Sequence, residues 1–314
     1  MSNKIKNEMD KIKIPNELRQ RSKMGVSQAK KEIISDNKRN IVRGIGVAVA
    51  LFVSIGAFTL LKTNLNNTTN SNSPVVLEDG GVNIPAIKLP KETMNANMIG
   101  LIVYNGKIYT QTKTEITADA AKKMIDEKLG TTKGTIDEWS EQKAYDEEFA
   151  STVAKTDVYS VTGYDKDFRI MTYKEENGEI YAEFYENLNG ITIKNGKDVF
   201  GKLNMNENIS SAQFRTFSDW NNSIKNYQPI TDLKTLNTFV VELNKAKPFP
   251  RSLDSDPIRQ SRSEENFREL SIILNDGSTV RLTLLSGGYI YYGYMDVYFK
   301  MNEDIFSDFW SNLK

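Results

Sequence analysis

Apolar residues are laid out in two ways along this chain. From 44 to 61 they form an unbroken run in which only Ser54 and Thr59 carry polar side-chain groups, and beyond residue 98 they recur in short alternating or helical-period stretches. In that second region "MIGLIVYNGKIYTQT" reads as a hairpin turning at Asn105-Gly106, because both residues accept the positive φ of a type I′ turn. "TADAAKKMIDEKLG" reads as a helix with Thr117 as N-cap and Gly130 as the residue after its end. "DVYSVTGYDKDFRIMTYKEENGEIYAEFYEN" supplies three strands, the last two joined at Asn177-Gly178, with Ile180, Ala182 and Phe184 on one face. A polar stretch around Trp139 reads as a helical turn or loop.

The second half has the same style. "SAQFRTF" is a candidate strand, and "TDLKTLNTFVVELNKAK" a helix with Leu233, Leu236, Phe239, Val240 and Leu243 along one face, closed by Pro248 and Pro250. Residues 248–266 read as a loop. "RELSIILNDGSTVRLTLLSGGYIYYGYMDVYFKM" follows as strands punctuated by Asp276-Gly277 and Gly287-Gly288, and Phe306, Phe309, Trp310 and Leu313 then form an i, i+3, i+4, i+7 stripe on a terminal helix that should pack on the sheet. The expected fold class is α+β: a single N-terminal transmembrane helix, then two mainly antiparallel α+β units over 97–203 and 204–314.

The apolar run carries the topology. Its eighteen residues, 44–61, make roughly 27 Å of helix at 1.5 Å per residue, enough for the hydrocarbon core of a bilayer. It starts after 43 residues and is followed by no small-residue cleavage pattern, so it reads as a retained anchor rather than a secretion signal. Lys38, Arg39 and Arg43 precede it and Lys62 stands nearly alone behind it, which places the N-terminus in the cytosol and residues 62–314 outside. Gly46, Ala50 and Ser54 form a small-residue row through which another helix could pack. The Asn-, Thr- and Ser-rich stretch 62–96 reads as a flexible stalk.

Charge divides along the same line. The formal net charge is zero, yet residues 1–43 carry 12 Lys/Arg against 5 Asp/Glu, leaving the rest net acidic. Pro15, Asn16 and Glu17 suit a helix start, and Leu18, Val26, Ala29 and Ile33 form a narrow apolar stripe on the basic helix that follows, suited to a cytosolic partner or to anionic headgroups. Nucleic acid is not an expected partner of the acidic region.

The chain has no cysteine and no histidine, which removes disulfides, thiolate catalysis, histidine triads and Cys/His metal sites. No cofactor and no catalytic residues are expected. Asp165 with Asp167, and Asp146, Glu147 and Glu148, could hold a cation or act as acid and base, but lack the order of a calcium loop and read as solvated charge. "GGYIYYGYMDVYFK" is the densest unusual feature. On strand alternation Tyr292, Tyr294 and Tyr298 share a face that could form an aromatic ligand groove, or simply cover a two-sided sheet.

The sequence "KIKIPNELRQRSKMGVSQAKKE", followed by the anchor, the stalk and a folded region, resembles transmembrane anti-sigma-factor-like proteins of Gram-positive bacteria. That resemblance implies a cytosolic segment that holds an extracytoplasmic-function sigma factor, and an outside region that governs its release, often through proteolysis. The expected function is therefore a non-enzymatic, single-pass regulator of the cell membrane whose outside region senses or binds an unknown ligand or protein. The alternative is an anchored binding module of the cell envelope with no cytosolic role.

Overall fold

The structure, a computed structural model, describes residues 73–88, 99–137, 140–251 and 256–313. The tail stripe, the apolar run with Gly46, Ala50 and Ser54, and Trp139 lie outside the described residues. Among the described residues no helix is long and apolar enough to cross a membrane.

The first strands fall inside the stretch expected to be stalk. β1 (Val75–Val76) and β2 (Val82–Ile84) pair antiparallel around a turn in which Gly80 takes φ +81° and Asp79 Oδ1 accepts the Gly81 N–H at 3.0 Å. Val82 and Ile84 are buried, so this segment is part of the fold's core rather than a free linker.

Next come β3 (Leu101–Tyr104) and β4 (Lys107–Gln111), joined at Asn105 and Gly106, both with positive φ as a type I′ turn requires. After β5 (Thr114–Ile116), α1 (Ala118–Met124) opens on Thr117, whose side chain accepts the Ala120 N–H. The helix stops at Met124, five residues short of the Leu129 end that a Gly130 stop implies. The chain continues as β6 (Ile125–Thr131), β7 (Asp157–Val161), β8 (Arg169–Glu176) and β9 (Glu179–Glu186), the last two closed by the positive φ of Asn177 and Gly178. Gly130 is therefore a strand residue, not a helix stop. A Cβ there would stand 2.2 Å from the Phe149 ring, so glycine admits the ring that covers this strand.

The chain continues through β10 (Ile191–Ile193), β11 (Ile209–Thr216), α2 (Phe217–Asn221), β12 (Gln228–Pro229), α3 (Leu233–Leu243), β13 (Lys247–Pro250) and α4 (Pro257–Gln260). β14 (Phe267–Leu274), β15 (Ser278–Leu285), β16 (Tyr289–Tyr292), β17 (Val297–Lys300) and α5 (Glu303–Ser311) complete it. The stretch 248–266, expected as loop, thus holds most of an edge strand and a short helix. Pro248 and Pro250 do not simply end α3; they lie in β13, at the edge of a sheet, where a missing N–H is tolerated.

The architecture is α+β and mainly antiparallel. One sheet has six strands in the order β3-β4-β9-β8-β7-β6. A second has eight, β12-β11-β14-β15-β16-β17-β13 with β5 also on β15, and a small third runs β1-β2-β10. The expected boundary between 203 and 204 is crossed repeatedly. β5 leaves the first sheet to pair with the start of β15, and residues 188–205 contribute Leu188, Ile193, Val199, Phe200, Leu203 and Met205 to the core of the second.

That core is closed by two helices. Leu236, Phe239, Val240 and Leu243 of α3 are buried while Leu233 is 38% exposed, a narrower stripe than expected. The α5 stripe meets it, with Phe239 and Phe309 stacked at 4.3 Å between centroids, and Phe306 and Leu313 buried beside them. On the first sheet α1 packs Ala121 and Met124 against Val161, Met171 and Phe184. One outer strand, β6, is protected by Asp126, Glu127 and Lys128 and by two register shifts, and β3 by hydrogen bonds to residues 149–152.

Candidate functional site

Alternation holds only inside a strand, and the tyrosine-rich stretch turns back on itself. Gly293 takes φ +65° between β16 and β17, and the ladder pairs Tyr289 with Lys300 and Ile290 with Phe299. The expected trio is consequently split. Tyr292 points into the helix-covered core beside Phe200, whereas Tyr298 lies on the opposite face with Phe267, Leu285 and Ile258. Tyr294 sits in the connecting turn, its ring 4.8 Å from Lys113 Nζ. Tyr291 faces Tyr298, with 5.5 Å between the ring centroids.

The outer face of the eight-stranded sheet is therefore the aromatic one. Its buried floor is Phe267, Leu285, Tyr298 and Ile258, and Phe217, Trp220, Tyr289 and Tyr291 stand half-buried around it. The rings are linked: Trp220 lies 4.8 Å from Phe267, and Phe217 5.6 Å from it. α4 brings Asp256 over one end. As N-cap its Oδ1 accepts the Ile258 N–H at 3.0 Å and the Tyr298 hydroxyl, while Oδ2 accepts Arg251 Nε and Nη2 at 3.1 and 2.9 Å. Burial, helped by that bond to Asp256, pushes the Tyr298 phenol well above its ordinary value.

Further along the same face Glu269 Oε1 accepts Arg215 Nε at 2.7 Å and Arg281 Nη1 at 3.3 Å, and Arg281 also reaches the Tyr227 hydroxyl and Glu115. Asp256, Glu269 and Glu115 are thus each held by a guanidinium. The face offers ring surfaces and polar rims, which suit stacking on a sugar or on apolar side chains of a peptide. Replacing Tyr298 by Phe removes a donor from a buried carboxylate oxygen and should lower stability by about 1–3 kcal/mol in urea denaturation, with the aromatic packing kept.

The other aromatic, Tyr292, belongs to a dry polar joint. Arg169 and Glu186 are cross-strand neighbours on β8 and β9, both fully buried, with Arg169 Nε donating to Glu186 Oε1 at 3.1 Å. Glu186 also accepts the Tyr292 hydroxyl at 2.7 Å and the Thr112 hydroxyl at 2.9 Å, and Thr114 bonds Tyr292 at 2.7 Å. Arg169 is sandwiched between Tyr164 and Phe184, at 4.2 and 4.6 Å from the ring centroids, and its Nη1 has no hydrogen-bond partner among the described residues. The geometry explains the position. β16 pairs with β15 as far as Leu282–Tyr292, β5 takes over the same edge from Val280–Thr114, and the joint sits where the two strands meet end to end.

Tyrosine ionisation reports this burial. Burial pushes Tyr145 and Tyr164 up to about 12 and Tyr109 and Tyr185 higher still, and it pushes Tyr292 well above its ordinary value. The folded form then keeps protons that the unfolded chain releases near pH 10, so this stabilisation is complete below about 10 and lost as pH rises through the folded values. An ultraviolet titration of the native protein should show only part of the fourteen phenolates forming near pH 10, the rest appearing with unfolding.

Of the carboxylate candidates, Asp165, Asp167, Glu147 and Glu148 are engaged within the fold. Asp165 Oδ1 accepts the Asp167 N–H at 2.8 Å in a turn, and Asp167 lies 3.1 Å from Lys107. Glu148 accepts the Asn105 N–H, and Glu147 pairs with Lys133. Among the described residues no group of three or more acidic side chains is placed to hold a metal ion. The Arg169–Glu186 and Arg251–Asp256 pairs and Trp220 escaped the sequence reading, since neither their types nor their spacing carries a signal without the ladder. A comparison of the chain with protein-family models, with curated proteins and with solved structures finds no match.

Proposed function

We propose that this chain is a single-pass, non-enzymatic membrane regulator of the anti-sigma-factor-like kind, with residues 1–43 in the cytosol and the folded region outside. The observation that carries the reading is the apolar run at 44–61 with twelve basic residues before it and Lys62 nearly alone after it. In this reading Leu18, Val26, Ala29 and Ile33 contact a cytosolic sigma factor, and the outer face around Trp220, Tyr289 and Tyr291 receives the extracytoplasmic ligand. The engagement of Asp256, Glu269 and Glu115 by guanidinium groups supports binding rather than catalysis.

The chain is free of cysteine, so its topology is directly readable. With a membrane-impermeant maleimide on intact cells, Glu176→Cys should label and Asn3→Cys should not; the reverse pattern ends the reading. Capture of a sigma factor by the full chain, lost on deleting residues 2–33, tests the regulatory half. If that deletion leaves transcription unchanged while Tyr291→Ala abolishes function, the chain is an anchored binding module without a cytosolic role.

A further inference from the structure

Six large apolar side chains are strongly exposed among the described residues, and three of them, Val75 at 58%, Val76 at 57% and Phe249 at 43%, lie on β1 and β13, which approach one another. Successive residues of a strand face opposite ways, so two exposed valines in a row mean that β1 is uncovered on both faces. Exposure of this kind on a folded region marks a surface that something else covers.

Strand addition by a protein partner fits it poorly. β1 has two residues, and β13 has prolines at 248 and 250, which cannot donate to a further ladder. A non-directional apolar phase has no such requirement. The surroundings are rich in lysine: the turn after β10 is held against residues 244–246 by the bonds Gly196 N–H to Ala246 O and Lys197 N–H to Asn244 O, which gathers Lys194, Lys197, Lys245 and Lys247. Lys245 is paired with Glu242, and Lys194 lies 3.9 Å from Asp79, but Lys197 and Lys247 make no ion pair among the described residues. The opposing charges are Glu78 and Asp79 in the β1–β2 turn, Glu242 beside Lys245, and Asp198, whose carboxylate accepts the Lys194 and Asn195 N–H groups.

Chain length supplies the occupant. Eleven residues separate Leu61 from Ser73, a span of at most about 40 Å even when fully extended. β1 is the first described strand after the apolar run, so its valines are the part of the fold tethered most closely to it. Resting on the reading of that run as an anchor, we propose that Val75, Val76 and Phe249, rimmed by Lys194, Lys197 and Lys247, form a surface that docks on the phospholipid bilayer. The folded region then lies against the membrane instead of standing off it.

The test uses the full chain in phosphatidylglycerol/phosphatidylcholine vesicles containing a spin-labelled quencher lipid, with an environment-sensitive fluorophore on a single introduced cysteine. Val76→Cys and Phe249→Cys should be quenched at least twofold, and Ile224→Cys, equally exposed but elsewhere, should not. Adding Val75→Asp and Val76→Asp should abolish quenching at Phe249→Cys, and because both valines are exposed this variant should fold. Absent quenching at 76 and 249, or equal quenching at all three, overturns the proposal. So does a fluorescence shift that ignores the quencher and grows with protein density, which would assign the surface to a second copy of the chain. Flotation with the vesicles after alkaline extraction separates the two readings. A chain that is not retained sinks the anchor and this inference together, and one that is retained but unquenched sinks the inference alone.

Discussion

Glu186→Ala should be among the most damaging single changes in the molecule, lowering stability by about 3–5 kcal/mol in urea denaturation. The cost does not come from losing an attraction alone. Arg169 is 0% exposed and stacked between two rings, so its charge would remain in a dry site with its main acceptor gone. The hydroxyls of Thr112 and Tyr292 would lose the same carboxylate. Arg169→Met should cost a similar amount by stranding Glu186. The double change Arg169→Met with Glu186→Leu should recover most of the loss, because apolar side chains of similar volume need no partner in such a place. A single-variant loss under about 1 kcal/mol would mean that the guanidinium reaches water and that the joint is not dry.

The position of the joint gives that result a second readout. It lies where β5, arriving from the six-stranded sheet, meets the end of β16 on one edge of β15. Other polar links here include Tyr164 to Asp276 at 2.7 Å, the Arg281 N–H to Lys113 O at 3.2 Å and the partly exposed Arg281–Glu115 pair. Amides of β5 and the end of β16 should therefore exchange faster than those of β14 in Glu186→Ala, with the two sheets losing cooperativity before either unfolds.

How much of this was readable in advance depends on the range of the interaction. Asn105-Gly106 and Asn177-Gly178 announced their hairpins because a positive φ at both turn positions is a local demand that few residue pairs meet. The stripes of α3 and α5 were visible for the same reason: helix period is local. β1, β2, β10 and β5 have two or three residues each, too few to show alternation, and exist because neighbours distant in sequence bury or pair them. The Tyr292–Tyr294–Tyr298 groove failed on one residue, Gly293, where the chain reverses and the parity count restarts. Gly130 was misread because glycine has two uses, ending a helix and admitting a close neighbour, and only the position of Phe149 tells them apart.

The same double meaning of glycine yields the other large effect. Gly196 has no unusual φ, yet a Cβ there would stand 1.9 Å from the carbonyl oxygen of Leu243. That atom is backbone at the end of α3 and cannot swing aside. The turn itself is braced, since the Asn195 side chain accepts the Lys197 N–H at 3.0 Å, Asp198 Oδ2 accepts the Asn195 N–H at 3.3 Å, and Gly196 N–H is bonded to Ala246 O at 2.8 Å. Relieving the clash means pulling the turn from the helix and with it Val199 and Phe200 from the core they share with Leu243. Gly196→Ala should cost about 3 kcal/mol, at the upper end of overpacking changes. Gly201→Ala is the matched control. Its Cβ would meet Lys197 Cγ at 2.9 Å, on a flexible chain that can rotate away, and Asn244 Oδ1 at 3.4 Å, an ordinary van der Waals contact, so its effect should stay within about 0.5 kcal/mol. Equal losses in the two variants would show that the turn slides freely along α3 and that residues 188–205 are not built into the second core; a wide gap between them is what close backbone contact requires.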